Sequence, residues 1–532
     1  ATDSQVLSGT LSITADSELR VSDNYTLTLS QAGGLSLGAN TLTLSGGGSL
    51  VSGGLTLNNA SSKLVLNSIT VDNVSTSSNS LGLDVDNDST VTSLTVAYTT
   101  PVSIAGSKIL SGAITVTAGS IKLDETGELA STISMSGGEL DADNSSTLSG
   151  TLTQAGNITI DVADDKTLTY SGDEISLGAY TLTMSGGGRF SNTNHLDLNN
   201  ASSKLLLNSI TVDNVSTTSD SLGLDVDANS TVTSLSVANI TPVSIASGSS
   251  LSGGITVTAG SLKLTEAGTL ASTIAMSGGV LDADESLAVS GALTHSGDIT
   301  IDVADNKTLT YSGAAISVGA NTLTLSGGGS LVSGGLTLND ASSKLLLNSI
   351  TVDNVSTSSG SLGLDVDNDS TVTSLTVGHT TPVSIASSKT LSGAITVTAG
   401  SIKLDETGTL ASTIAMSGGT LDADNSSTLS GTLTQAGNIT IDVADDKTLT
   451  YSGSAISVGA NTLTLSGGGS LVSGGLTLDN ASSKLVLNSI IVDNVSTSSN
   501  SLGLDVDNNS TVTSLTVGHT TPVSIASSKT LS

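Results

Sequence analysis

The sequence contains no cysteine and no tryptophan, and it has only one phenylalanine, six tyrosines and four prolines among 532 residues. Without cysteine there is no disulfide framework and no thiol ligand for a metal or redox site. Aromatic side chains supply much of the buried area in ordinary enzyme cores, so a set of large mixed cores is excluded. Leu, Val and Ile are nevertheless plentiful, and the mean hydropathy of +0.23 argues against disorder. The composition therefore predicts a thin, regular core of small aliphatic side chains.

Positive charge is also scarce, because 15 Lys and Arg stand against 47 Asp and Glu, which gives a net charge of −32. A chain this acidic repels nucleic acid and anionic membrane surfaces. No run of about 18 apolar residues is present to span a membrane, and Ala1–Ser4 lacks the basic and apolar regions that open a signal peptide. The sequence thus predicts no nucleic-acid partner and no membrane insertion, and it is compatible with an extracellular or cell-surface location.

The string TLTLSGGGSL divides the chain into long repeats. It begins at Thr41, returns as TLTMSGGGRF at Thr181, and appears again at Thr322 and Thr462, at intervals of 140, 141 and 140 residues. Self-similarity at a fixed period is the signature of repeat architectures. We divide the sequence into the diverged end of a preceding repeat, three full repeats and a partial fourth, all expected to form one continuous structure: residues 1–40, 41–180, 181–321, 322–461 and 462–532.

Within each repeat the hydrophobic period is two. Leu, Ile or Val alternates with Thr, Asp, Ser or Lys, as in the strings that begin at Leu42, Ser68 and Ala113. This alternation predicts half-buried β-strands, and the Gly and Ser clusters between them, such as Ser45–Gly48, predict turns. No segment has the apolar spacing of a helix.

Strands this short and this close together fit either a string of β-sandwiches or a β-solenoid. A sandwich needs larger core residues to fill a space about 10 Å thick. Similar strands recur about 19 residues apart, for example from Ile114 to Ile133, as expected when one coil stacks on the next. We therefore predict an all-β, continuous parallel β-solenoid (β-helix) with about 20 residues per coil and about seven coils in each super-repeat of roughly 140 residues.

The string GANTLTLSGGGSLVSGGLTL, Gly38 to Leu57, resembles repeats in the passenger regions of bacterial autotransporters and in large secreted adhesins of the filamentous-haemagglutinin type. The resemblance extends over essentially the whole chain. It implies a right-handed parallel β-helix that serves as a stalk, adhesin or fibre. The long super-repeat is not required by those short motifs.

The histidines give no sign of a catalytic or metal site. Alignment of the repeats places Tyr98 where His379 stands and Gln154 where His295 stands, and a ligand or general base would not survive such exchanges. We expect exposed turn residues at all four positions: His195, His295, His379 and His519. With no nucleophile, base or cofactor cradle in view, the sequence predicts a protein that is not an enzyme and has no cofactor.

Pairs of aspartates, whose two members are separated by one residue, lie on predicted strands. Both carboxylates of a pair therefore point outward. Carboxylate oxygens at this spacing are possible Ca²⁺ ligands where turns add carbonyl groups. The glycine of an EF-hand loop is missing, however, because Ser89 stands at its position. We interpret the pairs as a solvated acidic face and keep Ca²⁺ binding as the alternative, with these candidate ligands: Asp84, Asp86, Asp225, Asp227, Asp365, Asp367, Asp505 and Asp507.

Two functions remain after these exclusions. The first is a structural extracellular protein, a rod-like segment of a surface filament or fibre whose partner is itself. The second is the stalk of a bacterial adhesin whose surface- or glycan-binding tip lies outside this segment. Because Ser532 falls within a repeat, we expect the native chain to continue, or another subunit to stack on the last coil and pair its open strand edge.

Overall fold

The computed structural model describes all 532 residues. They form short β-strands that are separated by turns, and no helix is present. The chain forms two units, Ala1–Thr273 and Ile274–Ser532. Each unit is a parallel β-solenoid, and the two together contain about 26 turns of about 20 residues. The predicted all-β parallel solenoid is thus confirmed, and so is the absence of helix. The border between the units falls inside the second sequence repeat.

The first face of each unit carries one strand from every coil, and these strands pair in parallel with the strands before and after them. In the first unit they are Ser17–Arg20, Thr41–Ser45, Lys63–Asn67, Gly82–Asn87, Thr100–Ile104, Ser120–Leu123, Glu139–Ala142, Ile158–Val162, Thr181–Ser185, Lys204–Asn208, Gly223–Ala228, Ile240–Ile245 and Ser261–Leu264. In the second unit they are Val280–Ala283, Ile299–Val303, Thr322–Ser326, Lys344–Asn348, Gly363–Asn368, Thr381–Ile385, Ser401–Leu404, Thr420–Ala423, Ile439–Val443, Thr462–Ser466, Lys484–Asn488, Gly503–Val506 and Val523–Ile525.

The second face holds the rest of each coil, as one long strand or two short ones separated by a bend. Up to the unit border the strands are Gln5–Leu7, Thr26–Leu29, Leu35–Ser36, Ser49–Val51, Leu55–Leu57, Thr70–Thr76, Ser89–Val96, Ile109–Val116, Glu128–Leu129, Thr132–Met135, Ser146–Leu148, Leu152–Gln154, Thr167–Tyr170, Ile175–Ser176, Arg189–Asn192, Leu196–Leu198, Thr211–Thr217, Ser230–Val237, Ser250–Val257, Thr269–Leu270 and Thr273–Met276. After it they are Leu287–Val289, Leu293–His295, Thr308–Tyr311, Ile316–Ser317, Ser330–Val332, Leu336–Leu338, Thr351–Val352, Val355–Thr357, Ser370–Val377, Thr390–Val397, Thr409–Leu410, Thr413–Met416, Ser427–Leu429, Leu433–Gln435, Thr448–Tyr451, Ile456–Ser457, Ser470–Val472, Leu476–Leu478, Ile491–Thr497 and Thr511–Val517.

Inside the coils, like side chains stack on like. On the first face Leu64 pairs with Leu83, and Leu83 with Val102. All three are at most 1% exposed. Each buried aliphatic side chain of this size contributes roughly 1.5–3 kcal/mol relative to an exposed one. The alternation in the sequence places these residues inward, because successive side chains of a strand point to opposite faces.

Seven coils make one sequence repeat. The first repeat runs from the strand Thr41–Ser45 to the strand Ile158–Val162, and the next begins at Thr181–Ser185. Seven coils at about 4.8 Å each rise about 34 Å along the stack. The coil number predicted from the sequence is therefore correct.

One glycine in each repeat allows two coils to approach closely. Gly363 has φ = 86°, a left-handed conformation that residues with a side chain rarely adopt. A Cβ at this position would overlap the carbonyl oxygen of Pro382 on the following coil. The same glycine–proline contact recurs at Gly82, Gly223 and Gly503, with Pro101, Pro242 and Pro522.

A buried tyrosine occurs just before the second, third and fourth repeats. Tyr311 is 4% exposed, and its hydroxyl oxygen accepts a hydrogen bond from the backbone N–H of Leu293 at 3.0 Å. Tyr170 and Tyr451 accept the same bond from Leu152 and Leu433 at 3.2 Å. Tyr170 also stacks on Phe190, with 5.9 Å between ring centroids. These few aromatic rings lie in the core, which the composition did not indicate.

Candidate functional site

Four of the eight candidate calcium ligands are engaged by lysines of the preceding coil. The ammonium group of Lys63 lies 2.6 Å from Asp84, and the same bridge joins Lys204 to Asp225 and Lys484 to Asp505 at 2.6 Å. Lys344 pairs with Asp365 in the same way. The other member of each pair is exposed: Asp86, Asp227, Asp367 and Asp507.

These pairs remain pairs in the folded chain. No group of three or more His, Asp or Glu side chains converges on a point where it could hold a metal ion. Calcium ions normally take six to eight oxygen ligands, and a pair of carboxylates supplies a small part of that set. Calcium binding therefore stays a prediction. In the structure, the cation beside the first carboxylate of each pair is a lysine ammonium group.

A second acidic cluster is centred on Lys122. Its ammonium group lies 2.9 Å from Asp141 and 2.5 Å from Asp143. Asp141 also faces Asp161 across the strand ladder. Burial raises the pKa of Asp141, Lys122 lowers it, and the carboxylates of Asp143 and Asp161 raise it again, so that it lies above its ordinary value. The pKa of the neighbouring Glu139 is raised as well, mainly by burial and then by Asp141.

The second unit repeats this arrangement. Lys403 bridges Asp422 at 3.4 Å and pairs with Asp424, and Asp422 faces Asp442 on the next coil. Burial is again the main reason that the pKa of Asp422 lies above its ordinary value. Repulsion between stacked carboxylates is thus built into both units.

We expect mild acid to stabilise the protein. A folded state whose carboxyl pKa values are raised binds protons more tightly than the unfolded chain, so its stability falls as pH rises through those values. The melting temperature should therefore rise when pH is lowered from 7 towards 5. Asp161→Asn and Asp442→Asn together should raise the melting temperature at pH 7 and shrink the difference between the two pH values.

Asp88→Asn and Asp369→Asn together are the matched control for this experiment. They also remove two charges, at positions where the other repeats already have Asn229 and Asn509. This control should leave the pH difference nearly unchanged. A melting temperature that falls steadily from pH 7 to pH 5 in the parent chain would contradict the expectation.

The histidines divide into two kinds. His195, His379 and His519 are exposed, as the sequence predicted. The prediction was wrong for His295, which is half-buried at the end of a strand and donates from Nδ1 to the carbonyl of Gly297 at 3.0 Å. Its counterpart Gln154 makes the equivalent bond to Gly156 at 3.0 Å, so the position has a structural role that either donor satisfies.

A shallow groove is present once in every repeat. Thr and Ser hydroxyl groups from consecutive coils line it and bond to one another, as between Thr90 and Ser111 at 2.8 Å and between Thr371 and Ser392 at 2.8 Å. We call these four clefts the repeat grooves; their volumes run from about 180 to about 500 Å³. They are centred on Ser68, Ser209, Ser349 and Ser489.

Each of these serines has a positive φ, between 55° and 58°. A left-handed residue with a side chain costs roughly 1–2 kcal/mol. In return, the carbonyl of Ser68 accepts the N–H of Gly47 on the preceding coil at 2.6 Å. The strained turn therefore joins two coils at the groove.

Asp88 and Asp369, which line the grooves of the first and third repeats, also have a structural role. Asp88 accepts the backbone N–H of Ile109 at 3.0 Å, and Asp369 accepts that of Thr390 at 2.8 Å. In the other two repeats an asparagine makes the same bond at 2.9 and 3.1 Å. Because an amide replaces the carboxylate without loss of the bond, this hydrogen bond does not depend on the negative charge.

No family model, curated protein or solved structure matches this chain. The structure also contains no helix long and apolar enough to cross a membrane.

Sequence reasoning missed the repeat grooves and the buried tyrosines. It also missed one exposed leucine that recurs in every repeat, at Leu81, Leu222, Leu362 and Leu502. The recurring string S-L-G-L-D-V-D contains this leucine, but its period-two pattern does not tell which leucine faces solvent.

Proposed function

We propose that this chain is a structural extracellular protein, a segment of a surface filament that is built from repeated coils and has no catalytic role. The observation that carries the proposal is the repetition of the outward-facing surface. The bridge between Lys63 and Asp84 recurs in all four repeats, and so does the hydroxyl-lined groove. A catalytic or receptor site normally breaks such a repeat at one place, whereas a scaffold preserves it throughout.

The chemistry of the surface supports the absence of catalysis. Enzymes that cleave polysaccharides with paired carboxylates need one carboxyl group as acid and the other as base or nucleophile. Here the first carboxylate of each pair, for example Asp225, is bound to a lysine. The groove carboxylate Asp369 is exchanged for asparagine in neighbouring repeats and accepts a backbone N–H. Neither group is available as a general acid or base.

An extracellular location is the second part of the proposal. It is supported by the solenoid fold together with the string Gly38–Leu57, which is similar to autotransporter passenger and filamentous-haemagglutinin repeats. The absence of cysteine and the net charge of −32 are compatible with a soluble, exported fibre.

The partner in this proposal is a further run of the same coils. Within each unit, every coil pairs its strands in parallel with the next, as Lys344–Asn348 does with Gly363–Asn368. A coil without a following coil exposes unpaired N–H and C=O groups, which favour pairing with another strand edge. We propose that successive repeats or stacked copies extend the fibre through this same ladder.

Electron microscopy of the purified chain tests the proposal. We expect thin, unbranched fibres whose axial period is that of one repeat, about 34 Å for seven coils. Incubation with a panel of acidic and neutral polysaccharides should release no reducing or unsaturated ends. Compact particles that do not elongate at any concentration, or cleavage of any polysaccharide, would overturn it.

A further inference from the structure

One leucine in each repeat stands outside the core. Leu81, Leu222, Leu362 and Leu502 are 55%, 56%, 56% and 57% exposed, whereas the leucines of the stacked strands are almost fully buried. The backbone N–H of Leu81 is bonded to the carbonyl of Ser62 on the preceding coil at 2.9 Å, and the other three leucines make the same bond. The backbone therefore holds each of these side chains in a fixed place on the surface.

A single exposed leucine needs no explanation in a soluble protein. Its recurrence does, because the second repeat differs from the others at many positions, including Arg189 and Phe190, and still keeps Leu222. Polar residues that solvate a surface are common at the neighbouring positions, so a leucine there is not dictated by the strand pattern. We call these four residues the leucine points.

The surface around the leucine points carries little charge. Around Leu81, the segments 77–82, 97–101 and 117–120 contain no Asp, Glu, Lys or Arg. The nearest charge before Leu81 along the chain is Asp72, which accepts the backbone N–H groups of Ser52 and Gly53. The nearest charge after it is Asp84, which is bound to Lys63.

Single carboxylates lie near the other three points, and each accepts a backbone N–H. Asp220 accepts that of Ile240 at 2.9 Å. On the coils that precede Leu362 and Leu502, Asp340 accepts that of Ser342 and Asp479 accepts that of Gly459, both at 2.9 Å.

We propose that the leucine points form a lateral contact with a second copy of this chain. This deepens the proposed fibre function, on which it rests, by naming the surface through which fibres bundle. Two chains that each carry a net charge of −32 repel one another, so they approach most readily where charges are few and are already bound to lysine or to backbone N–H groups. A basic partner would find no carboxylate cluster beside the leucine points to attract it.

The spacing also favours a second copy. Within the first unit Leu81 and Leu222 are seven coils apart, and so are Leu362 and Leu502 within the second. An occupant must offer apolar groups about 34 Å apart to cover both points of a unit. Another copy has this spacing by construction, and a two-fold axis lets the same patch serve both partners.

Cysteine cross-linking tests the contact directly, because the parent chain contains no cysteine. Leu502→Cys places the only thiol of the chain at a leucine point. Val472→Cys, in the same repeat, is the matched control, since Val472 is also apolar and 45% exposed but lies in a strand of the second face. Under mild oxidation in roughly 0.5 M NaCl, where charge repulsion is screened, Leu502→Cys should form covalent dimers about tenfold faster than the control because the two thiols are held together. Equal or slower dimer formation would overturn the proposal.

A second variant separates this proposal from the fibre function. Leu→Ser at all four leucine points should abolish side-by-side bundles in electron micrographs while thin single fibres persist. Circular dichroism, which should keep its strand signal, checks that the variant folds. Bundles that survive in this variant, or a parent chain that forms single fibres without bundles at high salt, would overturn the lateral contact and leave the fibre function standing. A parent chain that forms no fibres would overturn the fibre function itself.

Discussion

Replacing Gly363 by alanine should strongly destabilise the second unit. The new Cβ would overlap the carbonyl oxygen of Pro382, and the left-handed φ of 86° would become strained. The strain costs roughly 1–2 kcal/mol and the overpacking roughly 1–3 kcal/mol more. We therefore expect a loss of about 2–5 kcal/mol, because the strands Gly363–Asn368 and Thr381–Ile385 must separate to admit the methyl group.

Gly360→Ala is the control for this prediction. Gly360 lies three residues earlier, has no unusual φ, and a Cβ there would meet no atom within 4 Å. It should change the stability by no more than about 0.5 kcal/mol. Hydrogen exchange of the strand Thr381–Ile385 measures the local opening free energy, which is the appropriate quantity for a repeat protein that need not unfold in one step. Equal protection in the two variants would show that the coils separate easily at this contact.

The second large effect should come from Tyr311→Leu. The substitution removes the acceptor for the buried N–H of Leu293 and leaves a void in the core. An unsatisfied buried donor costs about 1–3 kcal/mol and a void of this kind adds to it, so we expect a loss of about 2–5 kcal/mol.

The chain itself contains the expected rescue. In the opening coil, Leu29 stands where the later repeats have the tyrosine, and two residues later Gln31 accepts the N–H of Leu11 at 2.6 Å. Just before the third repeat, Gly313 stands at the position equivalent to Gln31. Glycine is required there because a Cβ on Gly313 would overlap the ring of Tyr311. Gly313→Gln alone should therefore be destabilising.

The double variant Tyr311→Leu/Gly313→Gln should recover a large part of the stability lost in either single variant. A double-mutant cycle, with thermal and denaturant unfolding of the four chains, measures this coupling. Two losses that simply add would show that the opening coil and the later coils satisfy this N–H by unrelated means.

The architecture could be predicted from sequence because both of its periods are short-range and clear. A period of two places Leu64 and Leu83 inward, and separations near 19 residues bring them onto consecutive coils. Each coil contacts mainly its neighbours, so no long-range pairing had to be guessed. The outward aspartates were predicted for the same reason.

The features that could not be predicted lie at the turns between strands, where the period-two pattern stops. Leu81 and Leu83 are identical in the sequence pattern, but the turn before the strand Gly82–Asn87 exposes the first and buries the second. The sequence predicts an exposed turn at His295 because polar glutamines stand at the equivalent positions, although a glutamine or histidine at a strand end can be buried as a backbone donor. The burial of Tyr311 could not be predicted, because composition gives the number of aromatic residues and not their place in the fold.

The contact between Gly363 and Pro382 joins two coils of the same repeat, and its three counterparts do the same. Recombination between similar repeats within the gene would therefore add or delete blocks of seven coils without separating any glycine from its proline. An insertion of any other length would stack coils whose turns do not form the glycine–proline contact. Natural variation in length should accordingly come in whole blocks, so that the number of coils can change while the packing of every coil stays the same.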